Sequence, residues 1–327
     1  MRYFLIRASF VCLLAGAAPL TQAADVAAGY PNKAVRLIVP QGPGAGTDNL
    51  ARVLAVKLGE ALGQQIVVDN RPGASGIIGI ELTVNAAPDG YTLLATSTGI
   101  QVVAPQLQKK LPFDPLRDLA PISLFAVTQN VLVMHPSVGA KTLKDFIALA
   151  KASPGKLNMA SAGTGTQSHL ASVQFTLAAG IDAVHVPYKG GGAMVTALLA
   201  NEAQFNVTPL PGVVGHIKSG RLRALGTGGT ARSLQLPDTP TIAEAGVAGF
   251  QSAGWSGMLA PRNVPKPILD KLHATLVKVL AQAELREQLA RQGADAVSNQ
   301  PAEFGKFMRE EWDRFGKAIK AAKLAVE

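Results

Sequence analysis

Val35-Arg36-Leu37-Ile38-Val39-Pro40-Gln41-Gly42-Pro43-Gly44-Ala45-Gly46-Thr47-Asp48 carries the pattern that decides the fold. Its first five residues, apolar and partly β-branched, read as a buried strand, which the glycines at 42, 44 and 46 then break. From Asp48 onward, Leu50, Val53, Leu54, Leu58 and Leu62 recur at helical spacing, and Gly63 stops the helix. Ile66-Val67-Val68 reads as a second strand and residues 91–95 as a third, with a helix over 77–85 between them. Strands and helices in this alternation imply a parallel sheet, because parallel neighbours need a long crossover, usually a helix.

The alternation resumes after a long extended stretch. Residues 119–133 are mostly extended and are a candidate crossover between two lobes. A helix over 142–151, a strand over 157–160, a glycine-rich loop over 161–166 and a helix to Ala179 follow. Then come a strand over 183–186, a helix over 193–200 and a strand over 203–207, with 223–226 a short strand and candidate return crossover. The C-terminal part reads as helical over 268–281 and 303–322, and Phe304, Met308, Trp312, Phe315 and Ile319 form one core-packing face. The expected fold is α/β, with residues 24–126 and 227–327 in one lobe and 127–226 in the other.

Composition narrows the function. Among 327 residues, 48% are hydrophobic and only 16% charged, which excludes intrinsic disorder. Glycine and proline, 33 and 21 in number, follow no fixed repeat and mark tight turns. Arg2 and Arg7 precede an apolar run over 8–20, and Thr21-Gln22-Ala23 offers a cleavage site after Ala23, the layout of a secretory signal peptide. That run is too short to span a bilayer. The single cysteine, Cys12, falls inside it, so the mature chain is expected in the periplasm without disulfides, thiol catalysis or thiolate metal sites. The formal net charge is +9, and +7 without Arg2 and Arg7. With no run of five basic residues, this reads first as a mixed solvated surface with a basic excess, next as a mild pull on small anions, and not as a nucleic-acid surface.

In open α/β sheets ligands bind outside the carboxyl ends of the strands. The loop of residues 40–48 lies there and leads into a helix whose first N–H groups are free and partly positive; Thr47 or Asp48 is positioned to cap it. Ser161-Ala162-Gly163-Thr164-Gly165-Thr166-Gln167-Ser168-His169 holds the matching place in the second lobe, and Val186-Pro187-Tyr188-Lys189-Gly190-Gly191-Gly192 repeats the pattern. Thr96-Ser97-Thr98-Gly99 ends the third strand at the same edge. The glycine spacing matches neither the dinucleotide fingerprint nor the phosphate loop, and H-E-x-x-H and G-x-S-x-G are absent. His169, at the cleft edge, and His185, in an apolar strand, read first as structural. Arg71 reads as a loop brace, and Asp89 and Asp114 as turn caps.

Several short motifs stand in one order: Ile38-Val39-Pro40, Pro43-Gly44, Thr47-Asp48, Asn70-Arg71-Pro72-Gly73-Ala74, Pro88-Asp89-Gly90-Tyr91-Thr92-Leu93 and Ala120-Pro121-Ile122-Ser123. Pro154-Gly155-Lys156-Leu157-Asn158, Ser161-Ala162-Gly163-Thr164-Gly165, His185-Val186-Pro187-Tyr188-Lys189-Gly190, Pro237-Asp238-Thr239-Pro240-Thr241 and Trp255-Ser256-Gly257-Met258-Leu259-Ala260-Pro261 continue it. Together they resemble the Bug (TctC-like) family, the extracytoplasmic solute receptors of tripartite tricarboxylate transporters. The resemblance implies a type II, Venus-flytrap periplasmic binding protein, each lobe a mainly parallel sheet flanked by helices and joined by crossover strands. It implies no enzymatic activity, no cofactor and no metal. Its implied partners are a small carboxylate or related solute and membrane transporter subunits, with a monomer as the default state. The contacts it implies fall on Gln41, Gly44, Ala45, Gly46, Thr47, Ser97 and Thr98 in the first lobe. In the second they fall on Gly163, Thr164, Gly165, Thr166, His169 and Tyr188. Gln41 stands where the family often has an aromatic residue, and Ala197 where it often has an aspartate. A receptor serving a signalling partner, and an exported hydrolase using His169 with a nearby hydroxyl, are the competing readings.

Overall fold

A computed structural model describes residues 27–188 and 191–322; the signal peptide read over residues 1–23, with Cys12, lies outside them. The chain begins with β1 (Val35–Val39), α1 (Gly46–Leu62), β2 (Ile66–Asn70), α2 (Ile77–Val84), β3 (Thr92–Ser97) and the long β4 (Leu119–Met134). It continues through α3 (Leu143–Ala152), β5 (Asn158–Ser161), α4 (Gln167–Ala179), β6 (Val184–Pro187), α5 (Gly191–Leu199), β7 (Phe205–Pro209), α6 (Val214–Lys218) and β8 (Arg223–Thr227). It closes with β9 (Ala253–Pro261), α7 (Lys266–Leu280), α8 (Ala283–Arg291), β10 (Asp295–Ala296) and α9 (Pro301–Ala321).

The strands lie in the order β2-β1-β3-β9-β4-β7-β5-β6, with β8 and β10 also paired to β4. The outer strands are parallel, β1 to β2 and β3, and β5 to β6 and β7. The long inner strands run antiparallel to their neighbours. β4 joins the two halves: from Leu119 to Gln129 it pairs with β9, and from Asn130 to Met134 with β7.

Each half is a sheet with helices on both faces, and the period of two along the strands assigns the sides. Leu37, Val39, Leu93 and Ala95 pack under α1, α7 and α8, whereas Ile38 and Leu94 face the opposite core with α2 and α9. In the second half Leu132, Met134, Phe205 and Val207 meet α3 and α4, while Val131, Val133 and Ala160 meet α5. Helix α1 stops as expected at Gly63, left-handed at φ 71°.

One expectation needs correction. The strand over 223–226 was a candidate return crossover, but β8 pairs with the second-half end of β4, at Val131 to Met134. Ile242, Val247 and Phe250 still pack in the second core, so the chain returns near Ser252 and not near residue 227. There the three segments interlock. Asn130 N–H donates to Ser252 O at 3.1 Å, Ser252 N–H to Gly228 O at 2.8 Å and Gly228 N–H to Asn130 O at 2.8 Å. A Cβ on Gly228 would lie 2.1 Å from Ser252 O, so only glycine fits. β9 is central to the sheet, yet its sequence carries no strand signal and none was read there. Gly254 and Gly257 interrupt the pattern because added Cβ atoms would meet Gln167 at 2.4 Å and Phe304 at 2.3 Å.

The face of α9 read from the sequence is buried at Phe304, Met308, Phe315 and Ile319. It also buries Glu311, whose carboxylate accepts from Trp255 Nε1 at 3.2 Å and pairs with Arg314 at 2.7 Å. Arg314 in turn donates to Gln174 Oε1 of α4 at 3.1 Å, binding the last helix to the second half.

Candidate functional site

The loop between β1 and α1 is held by a buried carboxylate. Asp48 is fully buried. It accepts from Gly44 N–H at 2.7 Å, Asn70 Nδ2 at 2.8 Å and Arg52 Nε at 3.0 Å. Asn70 Nδ2 also donates to Gln41 O at 2.9 Å. Burial pushes the Asp48 carboxyl up, but the bonds from Arg52, Asn70 and Gly44 outweigh it and hold it below the usual carboxylate range. Asp48 thus serves the loop without capping the helix: the cap position is Ala45, with no side-chain cap bond. The N–H groups of Gly46, Thr47 and Asp48 precede the first intrahelical bond, and the Thr47 hydroxyl has no partner among the described residues. Gly44 needs its φ of +80°, but Gly42 and Gly46 need neither a left-handed backbone nor close packing, since a Cβ there meets nothing within 4 Å.

The matching loop before α4 is held by neutral groups. Thr166 caps the helix, accepting from His169 N–H at 3.4 Å and donating to Gly163 O at 2.7 Å. Ser168 Oγ accepts from Ala162 N–H at 3.0 Å, and His169 Nδ1 from Gly165 N–H at 3.1 Å. The His169 ring stacks on His185 at 3.7 Å between centroids and 8° between planes, and His185 Nε2 meets Ser161 Oγ at 2.7 Å. Burial, with the neighbouring His185, pushes His169 down to about 4, and burial also lowers His185. Both rings are therefore neutral at pH 7. Gly163 at φ +133° and Gly165 at φ +77° are required by the backbone.

Of the other residues singled out in the sequence, Tyr188 donates its N–H to Ser161 O at 2.9 Å and stands behind this loop, while Thr164 is exposed. Ser97 ends β3 half-buried, opposite Ser256 of β9. Thr98 is fully buried, and its hydroxyl accepts from Trp255 N–H at 2.9 Å, so it secures β9 to the sheet. Gln41 aims a buried Oε1 that finds no partner among the described residues. Arg71 Nε donates to Asp69 at 3.0 Å, and Asp89 and Asp114 accept from N–H groups two residues on, as loop brace and turn caps.

A cavity of about 740 Å³ opens at the carboxyl ends of β5 and β7. Thr166 lines it, along with residues quoted in the loops but outside the implied contacts, Gln167 and Ser168 at the start of α4 and Gly191 and Gly192 at the start of α5, and with Thr208 at the end of β7, which the sequence reading did not assign to a site. The residues singled out in the first half do not line it. A Cβ on Gly191 or Gly192 would meet nothing within 4 Å, as at Gly42 and Gly46. This was a legible signal, since the glycines after Tyr188 repeat the loop pattern. Thr208 had none. Among the described residues, no three His, Cys, Asp or Glu side chains gather to hold a metal ion, and no helix is long and apolar enough to cross a membrane.

Two α/β lobes joined through shared long strands, with helix N-termini on the strands' carboxyl edge, define a periplasmic-type solute-binding protein. Residues 50–324 match the model of the tripartite tricarboxylate transporter family receptor, and the chain belongs to that family. It is 36% identical over 292 residues to the protein BugT of Bordetella pertussis, covering 89% of this chain and 90% of that protein. A Rhodopseudomonas palustris protein solved with adipate is similar in fold, with TM-score 0.75 and 31% identity, covering 90% of this chain and 99% of that one. MatC of Rhodopseudomonas palustris with bound malate gives TM-score 0.71 and 29% identity, covering 89% and 100%. The chain is accordingly a solute-binding receptor and not an enzyme, and the hydrolase reading of His169 falls with that membership.

Proposed function

We propose that this chain, exported after cleavage near Ala23, takes a small carboxylate between its two strand-to-helix loops and delivers it as a monomer to the membrane subunits of its transporter. The observation that carries this reading is the set of glycines 42, 46, 191 and 192. Neither backbone angle nor packing asks for glycine there, and all four flank helix starts where a ligand would meet main-chain N–H groups. The adipate and malate held by the two Rhodopseudomonas relatives agree with a carboxylate.

The energetics suffice without a buried arginine. Each helix start offers ~0.3–1 kcal/mol to an anion, up to ~2 when partly buried, and hydrogen bonds to a charged group are worth ~1.5–3 kcal/mol each. Four or five such bonds, less the cost of association, reach about −8 kcal/mol, a micromolar constant. A ligand that meets both lobes only when they approach binds the closed form better and shifts the population toward it, which gives the membrane partner a signal to read. On this reading Thr47 gives its hydroxyl to the carboxylate and Thr166, whose own proton goes to Gly163 O, holds the loop whose N–H groups meet it, while Gln41, Ser97, Tyr188 and His169 shape its surroundings. The test is calorimetric titration of the Thr47→Val, Thr166→Val double variant with organic acids that bind the unaltered chain. The expected result is a loss of at least tenfold in affinity; unchanged affinity removes this assignment.

A further inference from the structure

The first-half end of the sheet carries an unguarded edge. β2 ends the strand order and pairs only with β1 among the described residues. Val35 N–H donates to Gln65 O and Arg71 N–H to Val39 O, so the main-chain groups of Gln65 and Arg71 face β1. By the alternation along a strand, the N–H and C=O of Ile66, Val68 and Asn70 then point outward. Natural edge strands are commonly guarded by proline or charge. β6, at the other end of the sheet, closes on Pro187, but Ile66-Val67-Val68 carries neither guard. Helix α1 runs antiparallel above this edge. Arg52 Nη2 donates to Asn70 Oδ1 at 2.7 Å at one end, and a Cβ on Gly59 would lie 3.2 Å from Gln64 O at the other. Between helix and strand lies a groove of about 650 Å³. Arg52, Val56 and Glu60, spaced i, i+4 and i+8, form its helical wall, and Val56 at the middle is 60% exposed. This stripe is about 12 Å long at 1.5 Å per residue, and Ile66 to Asn70 about 13 Å at 3.3 Å per residue.

We infer that this edge takes a second copy of the chain, in an antiparallel β2-to-β2 pairing about a two-fold axis at Val68. Such an interface is isologous, so the patch must complement itself, and this one does. Reversal of the second copy sets Arg52 against its Glu60, Val56 against its Val56 and Glu60 against its Arg52. Arg52 Nη1 and Glu60 Oε1 have no partner among the described residues. Along the strands Val68 exchanges two hydrogen bonds with its counterpart, and Ile66 and Asn70 exchange two more on each side, so every outward group is paired. Five residues of strand and one helical stripe bury less than the ~800 Å² per partner of a stable complex. The pair is therefore weak and reversible, with a dissociation constant of about 0.1 mM. This goes beyond the receptor reading and leaves the single chain as the form that delivers solute.

The test is sedimentation velocity of the mature chain from about 5 µM to about 1 mM, with the weight-average mass rising from that of one chain toward that of two. Glu60→Arg, on the exposed face of α1, sets like charges together and should raise the dissociation constant at least tenfold. Val68→Pro should do the same, because it removes an outward N–H and none of the bonds to β1. A circular dichroism spectrum like that of the unaltered chain shows that this variant folds. The sequence beyond Cys12 has no cysteine. Val56→Cys treated with diamide should therefore give a disulfide-linked pair, whereas Val184→Cys, exposed at the β6 edge, should not. A chain that stays single at about 1 mM overturns the inference, as does association that survives both replacements. Equal cross-linking of the two cysteine variants overturns it too, as does cross-linking of the Val56→Cys chain only to a different protein in intact cells.

Discussion

The two glycine-rich helix starts look alike in sequence and are fixed in opposite ways. Before α1, a fully buried carboxylate, Asp48, gathers Gly44, Asn70 and Arg52, and two of the three glycines are left unconstrained. Before α4, hydroxyls and two stacked neutral imidazoles do the same work, and both glycines are demanded by the backbone. A loop can thus be held by charge with its glycines free to face a ligand, or by neutral bonds with its glycines spent on its own path. In the second half the unconstrained glycines reappear one helix later, at 191 and 192.

This contrast can be broken at its charged side first. Asp48→Ala strands Gly44 N–H, Asn70 and Arg52 together, at ~1–3 kcal/mol for each buried donor left unpaired. Urea unfolding should show a loss of about 3 kcal/mol, and a loss under 1 kcal/mol would mean that the loop is not held by this residue.

The neutral side answers to pH. The unfolded chain has a histidine near 6.5, while His169 in the fold is pushed down to about 4. Between those values the unfolded chain takes up a proton that the folded stack refuses. Stability is therefore whole above pH 6.5 and falls as the pH is lowered toward 4, by about 2–3 kcal/mol. His169→Phe should keep the stack and flatten that slope in a urea series across pH 4–7. The contribution of Asp48 lies lower, below 3.8, and should survive the replacement.

The smallest expected change in stability separates the two kinds of glycine. Gly46→Ala should leave stability unchanged or slightly raised, because its space is open and its φ ordinary, while organic-acid affinity falls at least tenfold. Gly163→Ala, at φ +133°, should cost ~1–3 kcal/mol in unfolding. Equal effects of the two replacements on stability would erase the distinction.

Much of the fold was legible because Val35, Leu37 and Val39, or Leu132 and Met134, declare themselves by period and by β-branched or long apolar side chains. β9 was not. Its glycines answer to Phe304 and Gln167, which are distant in sequence, and no local pattern records such a contact. The position of both loops was readable from strand, glycine and helix in series. The burial of Asp48 and the seating of Thr98 under β9 were not, since each depends on a partner strand. Thr208, at the end of β7, and His216, in α6, reach the cavity only because β7 lies beside β5, which their local sequence does not record.

Backbone amide spectra of the isotopically labelled chain, recorded while titrating in an organic acid that stabilises it thermally, test the central claim most directly. The account predicts downfield displacement of the Gly46, Thr47, Gln167 and Ser168 amide protons together, with a shared binding constant. Displacement confined to one lobe, or to neither helix start, would contradict it.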